Sequence, residues 1–244
     1  MGLRERLELR ERLRNSESPE EKWVILGYIL KDLIRTKAKI KKGDMLDVTE
    51  FVNFRVDKKL YPFGKIIADA YTKKYGLDYI TNVLTVESSG NAFAVLVGKG
   101  FDESMIAAKK TIPITVKDEK LYSSGAESYT KEKKNKIVVK KSFIKPEDRI
   151  LIVDDFIARG NATFALIDII NQAGAKLAGI VALITKDFKG QDGYKKLGEY
   201  VKEYNINHRK PGSKPASLNT LVRITDMSTT PENIKYGESP LILN

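Results

Sequence analysis

From residue 44 onward, apolar runs of strand length alternate with amphipathic stretches of helix length, at about 30 residues per strand–helix unit. "YITNVLTVESSG" (79–90) reads as a strand closing in a Ser-Ser-Gly turn, "NAFAVLVGKGF" as the helix behind it, and "MIAAKK" (105–110) as the next strand. "NKIVVKKSF" and "RILIVDDF" are further strands, "ATFALIDIINQAGA" a helix ended by Gly174, and "LAGIVALITKDF" (177–188) one more buried strand. Before them, "DMLDVTEFVNFRVD" reads as a loop or short strand, and an amphipathic helix is expected around 61–75. Strands alternating with helices in such units argue for a parallel sheet with helices on both faces. The expectation is an α/β fold around a mainly parallel sheet.

The first 40 residues follow a different pattern. Residues 3–14 alternate charge sign, with Glu8 and Arg12 at i,i+4, as on a solvated helix. A second helix begins at "SPEE" (18–21): Ser18 as N-cap, Pro19 at the first helical position, Glu21 closing a capping box. Trp23, Leu26, Tyr28, Ile29, Leu30, Leu33 and Ile34 give it a broad apolar side, which either joins a subunit interface or, more commonly, packs on its own domain. It decays into "RTKAKIKKGD", where Gly43 marks its end. The division expected is a helical extension over 1–40 and one domain over 41–244.

Composition removes several function classes. The 244 residues contain no cysteine, which excludes disulfides and thiolate metal sites and fits a reducing interior. A single histidine, His208, argues against a histidine metal cage or a Ser-His-Asp triad. No apolar run approaches the roughly 18 residues of a membrane span. The net charge of +11 predicts attraction to polyanions, either nucleic acid on a basic face or phosphorylated small molecules in a basic pocket. A lysine-rich solvated surface is the plain alternative.

In open parallel sheets, ligands bind at the carboxyl ends of the strands. Three such ends here carry suitable chemistry. "ILIVDDFIARGNAT" (150–163) runs a buried strand into Asp154 and Asp155, acceptors for hydroxyls, and then into a glycine turn at a helix N-terminus, where backbone N–H groups can hold a phosphate. "ESSG" supplies Ser88, Ser89 and Gly90, small residues that let a second phosphate approach the backbone. "AAKK" adds Lys109 and Lys110 to neutralise it. Together they describe a pocket for a sugar phosphate carrying a second phosphorylated group. "NINHRKPGSKPASLN" (205–219) has the composition of an exposed loop.

"ILIVDDFIARGNAT" resembles the phosphoribosyl-pyrophosphate (PRPP) signature of type I phosphoribosyltransferases. The usual Thr-Gly-Gly-Thr loop is replaced by Arg159-Gly160-Asn161-Ala162, which is similar to the Asn-Gly-Gln-Ala form of bacterial xanthine phosphoribosyltransferases. "MLDVTEFVNFRVD" (45–57) resembles that family's base-binding segment, "VLTVESSG" its pyrophosphate loop, and "LITKDF" (183–188) the strand whose lysine faces the purine. The likeness runs from about residue 40 to 202, with a weaker echo in "TLVRI".

This resemblance implies a type I phosphoribosyltransferase fold in which residues 111–134, polar and read as a hairpin or mobile loop, form a hood over the site. It also implies roles. Asp154 and Asp155 would hold the ribose hydroxyls as the catalytic acids, and Ala158, Arg159, Gly160, Asn161, Ala162 and Thr163 would cradle the 5-phosphate. Ser88, Ser89 and Gly90, with Lys109 or Lys110, would bind pyrophosphate. Leu46, Asn53 and Lys186 would contact the base, and Phe188 would stack on it. The implied reaction is purine salvage: Mg²⁺ and PRPP with a 6-oxopurine, xanthine above guanine or hypoxanthine, in a cytoplasmic homodimer. A PRPP-sensing purine repressor carries the same motif, and +11 would suit its DNA. About 40 residues are too few for its DNA-reading domain, which takes roughly three helices and a hairpin.

Overall fold

Local chemistry sets the first helices. The computed structural model describes residues 3–112, 116, 120–126, 135–208, 214–227 and 230–241. Helix α1 spans Leu3–Asn15 and α2 Pro19–Lys37. Ser18 is the N-cap of α2, its hydroxyl accepting the Glu21 N–H at 3.2 Å. The capping box is only half formed, because the Glu21 carboxylate is drawn to Arg12 of α1 at 2.8 Å. That ion pair is solvent-exposed and adds little, whereas each of Trp23, Leu26, Leu30, Leu33 and Ile34, fully buried, contributes about 1.5–3 kcal/mol. Packing therefore holds α2, and its apolar side lies in the domain's own core with Phe51, Val181 and Leu221, except for Tyr28, which is exposed.

Helix α2 stops at Lys37, earlier than Gly43. Residues Lys39–Lys41 (β1) alternate charge and isoleucine and pair antiparallel with Met45–Asp47 (β2). Gly43 and Asp44, both at positive φ, make the turn of this hairpin rather than a helix end. One π-helical turn, Thr49–Asn53, follows, and then α3 (Phe63–Tyr75), close to the expected 61–75.

The remaining elements are β3 (Asn82–Val86), α4 (Asn91–Phe101), β4 (Met105–Ala108), β5 (Leu121–Ala126), β6 (Asn135–Lys140), β7 (Arg149–Ile157), α5 (Asn161–Gln172), β8 (Lys176–Lys186), α6 (Gly193–Asn207), β9 (Ser217–Asp226) and β10 (Lys235–Gly237). Among the described residues the main sheet has the order β10-β9-β8-β7-β3-β4, parallel except for β10. Period-2 alternation divides its faces. Val83, Leu151 and Val153 point to the core shared with α2, α3 and α4, while Leu84, Ile150 and Ile152 point to the core shared with α5 and α6. The mainly parallel α/β sheet with helices on both faces is as expected.

Of residues 111–134, the stretch 121–126 forms the hairpin strand β5, paired antiparallel with β6. Residues 113–115, 117–119 and 127–134, and with them most of the expected hood, lie outside the described residues. The loop expected over 205–219 is shorter than composition implied. Helix α6 runs to Asn207, residues 209–213 lie outside the described residues, and Ala216 to Asn219 are buried in and beside β9. Polar residues are tolerated there because Tyr71 reaches across: its hydroxyl lies 2.7 Å from Ser217 Oγ and accepts from Asn219 Nδ2 at 3.2 Å. Of the described helices, none is long and apolar enough to cross a membrane.

Candidate active site

Sheet order decides which side chains meet. The carboxyl ends of β8, β7, β3 and β4 lie side by side, and parallel strands sit about 4.8 Å apart, so the row spans roughly 15 Å. Lys186 stands on the first of these ends, Asp154 and Asp155 on the second, Ser88–Gly90 after the third and Lys109–Lys110 after the fourth.

The acid pair is under electrostatic stress. Asp155 is 3 % exposed, and its Oδ1 has no hydrogen-bond partner among the described residues. Asp154 Oδ1 accepts the Asp155 N–H at 2.9 Å. Burial of its carboxyl, followed by the charge of Asp155, holds Asp154 well above the usual carboxylate value, although part of the residue's surface remains open. A site that disfavours two negative charges favours hydroxyl donors or a cation beside them.

After β7 the chain turns at Gly160, whose φ of 80° suits glycine, and α5 starts at Asn161. Thr163 is buried in its first turn. The loop is braced from behind by the segment between β8 and α6. Gly193 N–H donates to the Ala158 carbonyl at 3.0 Å, and a Cβ at 193 would stand 2.6 Å from both Arg159 C and Gly160 N. The Arg159 Nε donates to the Gly190 carbonyl at 3.1 Å, tying that side chain to the same brace.

The Glu87–Ser88 peptide is cis, and Gly90 sits at the start of α4. A Cβ at Gly90 would collide with Thr85 Oγ1 and lie 3.1 Å from Asp154 Oδ1, so the Ser-Ser-Gly turn and the acid pair are direct neighbours. Ser88 is exposed and Ser89 half-buried. Lys109 donates to Glu87 Oε2 at 2.8 Å, and the Lys110 N–H to Glu87 Oε1 at 2.9 Å. Burial raises the Glu87 carboxyl, but these two donors outweigh it and hold the group below its usual value. Sequence reading placed both lysines here and missed Glu87 as their anchor.

At the β8 end, Lys186 is 5 % exposed, its ammonium 5.2 Å over the Phe156 ring and donating to the Asp44 carbonyl in the β1–β2 turn. Burial lowers its pKa. This bond brings the hairpin, with buried Leu46, over the strand end. Asn53, half-buried, ends the following π-helical turn, and Phe188 is half-buried against the α2–α4 core. Neither Asn53 nor the Phe188 ring makes a hydrogen bond or ring contact to the other expected base residues among the described residues. The hairpin carbonyl on Lys186 had no sequence signal, since its partner is 142 residues away.

No protein-family model matches the chain. It is 40% identical over 161 residues to a xanthine phosphoribosyltransferase of Oenococcus oeni, covering 66% of this chain and 76% of that protein. It is 36% identical over 179 residues to one from Lachnoclostridium phytofermentans, covering 73% and 87%. Among solved structures, the adenine phosphoribosyltransferases of Saccharomyces cerevisiae and Rhodothermus marinus superpose with TM-scores of 0.60 and 0.58 at 16% and 18% identity. They cover 80% and 81% of this chain and 98% and 99% of their own, a likeness of fold alone.

Proposed function

The chain belongs to the xanthine phosphoribosyltransferase family, and from that premise we propose that it transfers the 5-phosphoribosyl group of PRPP to a 6-oxopurine, xanthine foremost. The products are the nucleoside monophosphate and pyrophosphate. The observation that carries the reading is the row of strand ends. Base lysine on β8, ribose acids on β7, pyrophosphate turn after β3 and lysines after β4 stand in the order in which the parts of PRPP and its acceptor are bonded.

Asp154 and Asp155 accept from the ribose hydroxyls, which supplies the partner that buried Asp155 Oδ1 otherwise lacks. Backbone N–H groups from Ala158 to Thr163 hold the 5-phosphate at the positive end of α5. Ser88, Ser89 and Gly90 place the pyrophosphate within reach of Lys109 and Lys110. Leu46, Asn53 and Phe188 frame the purine, and Lys186 donates to its oxo group. Among the described residues no cluster of three or more acid or histidine side chains forms a metal cage. The paired carboxylates are nevertheless hard oxygen donors of the kind Mg²⁺ takes, sharing it with PRPP. Mg²⁺ bound there supplies positive charge that neutralises the leaving pyrophosphate. The C1–O bond of the ribose breaks with its electron pair leaving on pyrophosphate, and the purine nitrogen bonds C1 as its proton passes to solvent. The chain's share is alignment and electrostatic stabilisation, so no nucleophilic side chain is required.

A repressor reading gains no support, since the curated relatives are named as xanthine phosphoribosyltransferases. A homodimer in the cytoplasm completes the proposal on the resemblance alone. The test is incubation with PRPP, Mg²⁺ and each of xanthine, guanine, hypoxanthine and adenine, following nucleotide and pyrophosphate. Xanthine should turn over fastest, and no product from any base would overturn the reading.

A further inference from the structure

The opposite, amino end of the same strands carries a cleft of about 680 Å³ that the transferase reading does not use. Arg149 begins β7 and Lys176 begins β8, so the cleft lies about 20 Å along β7 from Asp155. Its walls include Tyr79, Tyr204 and His208, with Arg149, Lys176 and Lys214 as cations. Three positive side chains face one carboxylate, Asp78. Tyr79 and Tyr204 are half-buried, while His208, Lys176 and Lys214 are exposed.

Two features distinguish this cleft from an ordinary solvated groove. The rings form an ordered surface: Tyr204 and His208 stack with centroids 4.5 Å apart at 14°, continuing the Tyr200–Tyr204 stack along α6. Two of the cations, Lys214 and Arg149, are held over rings and form no ion pair among the described residues. Lys214 Nζ lies 5.3 Å from the Tyr79 centroid and 5.8 Å from that of Tyr75, and the Arg149 guanidinium 5.8 Å from Tyr79. Arg149 is fixed by donating Nε to the Tyr79 carbonyl at 2.5 Å and Nη2 to the Asp78 carbonyl at 2.9 Å. Those carbonyls anchor the guanidinium without cancelling its charge, and a flat guanidinium is well suited to phosphate. Aromatic faces beside uncancelled cations recognise a planar ring bearing an anion. The volume lies within the range of small-molecule sites, roughly 300–1,000 Å³.

We propose that this cleft is a second ligand site and takes a nucleotide, its base stacked on His208, the outermost ring of the Tyr200–Tyr204–His208 column, and its phosphate on Arg149 and Lys214. The site is independent of PRPP chemistry and would stand if the transferase reading fell. Calorimetric titration of AMP into the wild-type protein and the Lys214→Glu, His208→Ala and Asp155→Asn variants tests it. Lys214 and His208 are exposed, and thermal melts verify that each variant folds. One saturable AMP site should persist in Asp155→Asn, weaken at least tenfold in Lys214→Glu, and weaken several-fold in His208→Ala. No binding of AMP at millimolar concentration would overturn the proposal. So would binding that Asp155→Asn abolishes, or binding that all four proteins share equally.

Discussion

Asp148 and Asp155 stand seven positions apart on one stretch of chain, at opposite ends of β7, and they are treated differently. Asp148, at the amino end, is buried with both carboxylate oxygens engaged: Thr81 Oγ1 donates to one at 3.1 Å and the Lys145 N–H to the other at 2.7 Å. Asp155, at the carboxyl end, is as deeply buried yet has an oxygen with no partner, beside an Asp154 that burial and its neighbour's charge push towards protonation. Thr85 Oγ1 and Thr185 Oγ1, near the same end, are also buried and unpartnered. Unsatisfied buried polar groups cost about 1–3 kcal/mol each, so the three at this end are a cost to the free protein that the proposed substrate would relieve. Asp148 is satisfied within the fold, whereas Asp155 keeps an oxygen that only a ligand or solvent can pair.

The sharpest way to break that contrast is Asp155→Asn. Turnover should fall about 100-fold or more, as expected when a reacting group is misaligned, with little change in melting temperature. Pyrophosphate release and a thermal melt measure the two, and near wild-type turnover would erase the distinction. Lys186→Met comes next. It should raise the KM for the base about 10-fold or more, in line with a lost charged hydrogen bond, while the KM for PRPP stays put. Because burial lowers the Lys186 pKa, its ammonium is lost at a lower pH than an ordinary lysine's. The base KM of the wild-type protein should therefore climb on the alkaline side before pH 10.5 is reached, and the Lys186→Met profile should be flat there.

At the other end, Asp148→Ala should cost about 1–3 kcal/mol of stability by stranding its donors, measured by denaturant unfolding, and leave kcat intact. The smallest effect is also the most discriminating. A carboxyl whose folded-state pKa is raised costs stability as pH rises through its unfolded value toward the folded one. Asp154→Asn removes that cost, so it should melt a few degrees higher than wild type at neutral pH, lose this advantage in acid, and still turn over slowly. A lower melting temperature at neutral pH would show that the acid pair is not strained.

How much of this was legible in the sequence depends on the distance between partners. The strand–helix alternation, Ser18 as N-cap and the run from Ile150 to Thr163 are local patterns, and each folds as its neighbours dictate. The β1–β2 hairpin was hidden because Lys39–Lys41 has the composition of a fraying helix end. Ser217 and Asn219 read as loop because the Tyr71 hydroxyl that satisfies them is about 146 residues away in sequence. Helix α6, rich in lysine and tyrosine, carries little apolar periodicity beyond Leu197 and Val201. Within the site, the acids and the phosphate loop were visible as residues. What those residues lean on was not: Glu87 under Lys109, the Asp44 carbonyl on Lys186, and the turn behind Arg159.

That turn has a consequence for how the protein can vary. With the Gly193 backbone pressed against residues 158–160, the height of the loop proposed to cradle the phosphate is gauged from outside it, by the first residue of α6. Whatever else changes between β8 and α6, position 193 has to stay bare. A single methyl there would act as a wedge, lifting the cradle off its seat, and a change invisible to the substrate would be read out as lost affinity for it.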